Sequence, residues 1–202
     1  MKKIEIVLVS ISLIAVILRV LDFPGGEVLS AASFSTLGYF YIFLGFALFN
    51  GISFKEIPRK TAYQNTSPLM IFSAFAGGYA LLVILNTISA KLLLREINPY
   101  LPLWLIDLLI VLIIIVFAQR RSKSRHQVNI YKRLTIAGVL SLILHLIPSA
   151  TLIDIYYGGY PDYAETYKKL LNDPDNPDLK KQLRDLEYQK NRNQLDKIKG
   201  EE

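Results

Sequence analysis

The chain contains no cysteine, so disulfides, thiolate metal sites and cysteine nucleophiles are all excluded. Histidine is scarce, with His126 and His145 the two present, and no metal ligand set can be assembled from them by spacing. The patterns H-E-x-x-H and G-x-S-x-G are missing, and so is a phosphate-binding glycine loop. Catalysis therefore has little support in the sequence, and no cofactor is expected. Charge is also missing over long distances. Residues 28 to 54 carry no Asp, Glu, Lys or Arg, and neither do residues 61 to 90. A helix of a water-soluble protein alternates polar and apolar faces over such lengths, so these stretches read as membrane segments.

What is present agrees. Of 202 residues, 52% are hydrophobic, and the mean hydropathy is positive. The most telling stretch, residues 101 to 119, is almost wholly apolar and is followed at once by Arg120, Arg121, Lys123 and Arg125. About 20 residues at a 1.5 Å rise cross a bilayer core of roughly 30 Å. A basic cluster at the end of such a run pins that end to the cytoplasmic side and contacts anionic headgroups there.

The net charge of +6 does not signal nucleic-acid binding. Residues 1 to 157 hold 14 Lys+Arg against 7 Asp+Glu, whereas residues 158 to 202 hold 9 against 10. The excess lies in the apolar part, which points to lipid headgroups rather than phosphodiester backbones.

Five spans follow from the apolar runs: about 4–22, 34–52, 68–89, 101–119 and 134–157. Ser30-Ala31-Ala32 offers a signal-peptidase pattern after the first run. Arg19, Asp22, Pro24, two glycines and Glu27 intervene, so an uncleaved helix is expected. In the third span Ser73, Ala74, Gly77 and Gly78 repeat at small-xxx-small spacing, which permits close helix packing within the chain or between two copies. With five spans, one side of the membrane holds eleven Lys+Arg and the other holds Arg19, Lys91 and Arg95. That bias places the N-terminus in the cytoplasm and the C-terminus outside. Tyr156, Tyr157 and Tyr160 then read as an interfacial aromatic belt.

Residues 158 to 202 change character, with 19 of 45 charged. Asn176-Pro177-Asp178 is a helix start, formed by an N-cap, a first-turn proline and a first-turn acid. Leu179, Leu183 and Leu186 follow at helical spacing, so the tail is expected to be a helical hairpin whose leucine stripe needs cover. The fold class is thus all-α, a bundle of five transmembrane helices with a short extracytoplasmic hairpin.

Two ionisable residues fall inside apolar runs, Asp107 and His145. Counted from the outer ends of antiparallel spans they lie roughly 9 and 12 Å deep, so they form a candidate intramembrane polar pair.

Arg19-Val20-Leu21-Asp22-Phe23-Pro24-Gly25-Gly26, followed by a second span rich in aromatics, resembles the N-terminal membrane region of the gliding-motility protein GldL and related small membrane proteins of Bacteroidota-type bacteria. The resemblance covers residues 4 to about 52. Asp22 stands where that family carries histidine, and the second span here has no carboxylate. The resemblance implies lineage and an inner-membrane address rather than a proton path.

Two functions follow as expectations. One is a non-enzymatic membrane subunit for assembly or accessory work, whose tail meets a protein partner or a second copy. The other is a subunit of a proton- or ion-coupled complex using Asp107 and His145.

Overall fold

The computed structural model describes residues 1–64, 66–94 and 125–200, with side chains except at 69, 125–127 and 193–200. Within these the regular structure is all helical, without strands. The helices are α1 (Lys2–Val20), α2 (Gly26–Asn50), α3 (Pro68–Leu92), α4 (Arg125–Leu146), α5 (Ser149–Tyr157), α6 (Pro161–Asn172) and α7 (Pro177–Gly200). The fourth expected span, with Asp107, Arg120, Arg121 and Lys123, lies outside the described residues, and Arg125 is described in backbone only.

Helices α2 and α3 are long and apolar enough to cross a membrane, and α4 with α5 makes a third if that bent pair is one span. Helix α1 is not among them, because Lys2, Lys3, Glu5 and Arg19 fall within its 19 residues. The fifth expected span, over 134–157, is not one continuous helix. The chain bends by 84° between α4 and α5 at Pro148. Proline has no N–H to give to the preceding turn, and its ring crowds the carbonyl four residues back. The Leu144 carbonyl accepts instead from the Ile147 N–H at 3.2 Å.

The second helix starts at Gly26, eight residues before the expected Phe34. Helix α1 ends in a Schellman turn: the Phe23 N–H donates to Leu18 O at 2.9 Å and the Asp22 N–H to Arg19 O at 3.1 Å. Gly25, at φ +82°, then redirects the chain. A Cβ on Gly26 would lie 2.9 Å from the Arg19 backbone nitrogen, so α2 begins directly against the end of α1. The Ser30 hydroxyl donates to Ala15 O at 3.0 Å across that contact.

Helices α1 to α4 pack in chain order around a core that includes Leu48, Phe49, Leu81, Ile84 and Leu134. The expected small residues of α3 sit at its two interfaces. A Cβ on Gly78 would come within 2.3 Å of the Tyr41 carbonyl oxygen on α2, and one on Gly77 within 2.7 Å of Ile130 on α4. Ala74 is buried, and the Ser73 hydroxyl donates to Met70 O within its own helix.

At the opposite end from Met1, α5, α6 and α7 form a second core of Leu152, Ile153, Tyr156, Tyr157 and Tyr163, with Leu94 from the end of α3. The hairpin start matches its sequence: Asn176 Oδ1 accepts from the N–H groups of Asp178 and Leu179 at 3.1 and 3.2 Å. The leucine stripe finds its cover inside the chain, with Leu183 and Leu186 packed against this second core.

Candidate functional site: a tail docked on buried cations

Lys190, on α7, extends the leucine stripe by one turn, at i+11 from Leu179, and is 9% exposed. A lysine ammonium so enclosed needs partners, since burial of an unpaired charge is strongly unfavourable. Its Nζ lies 3.4 Å from Asp22 Oδ1. Three tyrosine rings face it, with centroids 4.8 Å (Tyr157), 5.4 Å (Tyr163) and 5.9 Å (Tyr160) away. The ring faces carry negative electrostatic potential, which stabilises a desolvated cation.

Arg19 stands next to it, also buried. Its Nη2 donates to the Tyr157 hydroxyl at 2.8 Å, Nη1 lies 3.6 Å from Glu27 Oε2, and the guanidinium carbon sits 4.8 Å from the Tyr156 ring centroid. Tyr157 therefore touches both cations. It also packs against Tyr163, their centroids 4.6 Å apart. Burial and the neighbouring Tyr157 hydroxyl push the Tyr163 phenol above the ordinary tyrosine range.

The three belt tyrosines thus have partners inside the chain. Tyr156 and Tyr157 are buried, and Tyr160 packs against the same cluster, where all three meet cations.

Two non-glycine residues among those described have positive φ: Asp22 at +52° and Leu94 at +54°. Both meet the hairpin. Asp22 holds Lys190, and the Leu94 carbonyl accepts from the Tyr167 hydroxyl at 3.5 Å. Left-handed backbone at a non-glycine residue is unfavourable and persists where the surroundings compensate for it. Here the helix-end hydrogen bonds compensate first, the Schellman pair at Asp22 and the Leu94 N–H to Lys91 O at 3.1 Å, and contacts with the docked tail add to them. Of the residues at the end of α1, Asp22 reaches the hairpin and Arg19 reaches Tyr156 and Tyr157 of α5, while Pro24, Gly25 and Gly26 shape the turn that presents them.

A second polar cluster lies toward the Met1 end, inside the four-helix part. Arg133 of α4 grips Glu5 of α1 with both prongs of its guanidinium, Nε to Oε1 at 2.5 Å and Nη2 to Oε2 at 2.6 Å. The Tyr41 hydroxyl donates to the same Oε1 at 2.9 Å, and Arg133 Nη1 donates to Asn129 O at 3.0 Å. The pair closes α4 onto α1 at this end. Beyond it the two helices part around an apolar cleft of about 600 Å³.

Arg133 is one of the eleven basic residues counted on the cytoplasmic side, and Glu5, inside the first expected span, carries no expected role. The signal that could have found them is an opposite charge inside each of two apolar helices at matching depth. His145 Nδ1 lies 2.9 Å from the Ser141 carbonyl of its own helix, and its expected partner Asp107 falls outside the described residues.

No protein family, curated protein or solved structure matches this chain.

Proposed function

We propose that the chain is a non-enzymatic integral membrane subunit whose C-terminal hairpin presents a fixed surface to a partner protein. The observation that carries this reading is the burial of Lys190 among Asp22 and the tyrosines. It ties a highly charged helix to the bundle at one orientation. A binding arm held in place loses less conformational freedom on meeting its partner than a loose tether does. The opposite face of α7 carries exposed Lys181, Arg184, Asp185 and Tyr188. An exposed tyrosine beside an arginine is the kind of pair that anchors interfaces.

The membrane arrangement proposed is five spans, with the N-terminus cytoplasmic and the hairpin outside. The eleven-to-three division of basic residues supports it. Helix α1 fits as a span because two of its charges are compensated, Glu5 by Arg133 and Arg19 by Glu27 and Tyr157. The resemblance of residues 4 to 52 to the GldL membrane region supports a bacterial inner-membrane address.

The test is affinity purification of the full chain, tagged at its N-terminus, from its native membranes. A protein captured by the wild type and lost with the combined Lys181→Glu, Arg184→Glu and Tyr188→Ala variant, at unchanged melting temperature, supports the proposal. Identical captured sets would overturn it.

The ion-coupled reading keeps one supporting observation, the Glu5–Arg133 pair inside the bundle. Proton uptake by proteoliposomes that Glu5→Gln abolishes would favour it over a purely structural subunit.

A further inference from the structure

The cleft between α1 and α4 is built unlike a packing defect. Its floor is buried and apolar, from Leu37 of α2 and Leu81 and Leu85 of α3. Its rims are Ile6 and Leu13 on α1 and Ile136 and Leu140 on α4, which line the cleft and are themselves exposed. It therefore opens sideways, toward the region a bilayer would occupy. Its 600 Å³ lies inside the roughly 300–1,000 Å³ range of small-molecule sites.

Along α1 the lining runs from Ile6 to Val16, about 15 Å at 1.5 Å per residue. That is roughly half the hydrocarbon thickness of a bilayer, the depth of one leaflet. Among the described residues, the charged groups that line it, Glu5 and Arg133, lie at the end nearer Met1. There the Arg133–Glu5 pair is neutral overall, and Arg133, with three bonds made from five N–H donors, retains donor capacity. One turn further toward Met1, helical register places Lys2 and Lys3 on the side of Ile6, and Lys132 on the side of Ile136. All three lysines are exposed.

A long apolar slot of one-leaflet depth, capped at one end by positive charge, is complementary to an anionic amphiphile. We infer that this cleft seats one acyl chain of an anionic phospholipid, with the headgroup held at Lys2, Lys3 and Lys132. The inference rests on the proposed membrane reading and adds a lipid site to it.

The test places a photo-crosslinking benzophenone amino acid at Leu140, on the cleft rim, or at Val139, exposed on the same helix and not part of the cleft. The full chain is reconstituted in vesicles of equal phosphatidylglycerol and phosphatidylcholine, and adducts are read by intact mass. Leu140 should capture phosphatidylglycerol over phosphatidylcholine by at least about tenfold, since three nearby lysines each favour an anionic headgroup several-fold, while Val139 should show little preference. Replacing the three lysines by glutamine should remove the preference at Leu140. Equal ratios at the two positions would overturn the inference. So would adducts from Leu140 to residues 95–124 of the same chain, to a second copy or to another protein. Flotation of the vesicles reports membrane insertion separately, so a failure of the lipid site is distinguishable from a failure of the membrane reading.

Discussion

Replacing Lys190 by methionine keeps an unbranched stem of similar length and removes only the charge. The Asp22 pair, 10% and 22% exposed at its side chains, sits between the surface and buried regimes, so its loss is worth about 1 kcal/mol. The cation faces Tyr157, Tyr163 and Tyr160 at 4.8 to 5.9 Å, and a largely desolvated cation over aromatic rings contributes about 1–2 kcal/mol in all. Docking of α7 should therefore weaken by about 2–3 kcal/mol, which is roughly a 30- to 150-fold rise in the undocked population. Native-state hydrogen exchange of the α7 amides around Leu183 and Leu186 reads this directly. Lys181→Met, on the exposed side of the same helix, controls for helix propensity and net charge. The reasoning fails if Lys190→Met accelerates exchange no more than Lys181→Met does.

Asp22→Asn keeps a side chain that tolerates left-handed backbone and removes the carboxylate, whereas Asp22→Gly also relieves the φ of +52°. Both should loosen α7, with the glycine variant melting higher by about 1 kcal/mol of stability; a lower melting temperature for glycine would contradict the assigned strain. Glu5→Gln and Arg133→Gln should each destabilise the bundle by about 2–4 kcal/mol, because each leaves a partly buried partner charge. The double variant should fall short of their sum by about 2 kcal/mol in a thermal-denaturation cycle, and additivity within about 0.5 kcal/mol would show the pair to be inert. Burial raises the Tyr163 pKa, so the undocked state loses that proton first. Docking is then fully favoured below the ordinary tyrosine value of about 10 and weakens as the pH climbs above it. Near-ultraviolet circular dichroism should show this alkaline loss, and Tyr163→Phe should blunt it; an unchanged profile in that variant would remove Tyr163 from the linkage.

Local features were legible in the sequence because their causes are local. Asn176-Pro177-Asp178 announces the start of α7, and the Pro24-Gly25-Gly26 break marks the turn between α1 and α2. A proline at 148 disturbs a helix wherever it stands, but the size of the bend depends on what packs there, and α5 turns to bury Leu152, Ile153, Tyr156 and Tyr157 against the tail. The charged contacts were not legible. Asp22 and Lys190 are 168 residues apart, and Glu5 and Arg133 are 128 apart. Periodicity assigns a face to each residue and says nothing about which distant face it meets. The leucine stripe of α7 illustrates the limit. Its need for cover was readable, while the identity of the cover, tyrosines of the same chain, was a tertiary fact.

The central claim, that the charged tail is held at one orientation on the bundle, is tested most directly by a distance distribution. The absence of native cysteine allows clean labelling of a Val28→Cys, Tyr188→Cys protein, both positions being exposed and placed on α2 and α7. Double electron–electron resonance on the reconstituted full chain should give a single narrow distance peak that broadens when Lys190→Met is added. A broad distribution in the protein with Lys190 intact would contradict the account.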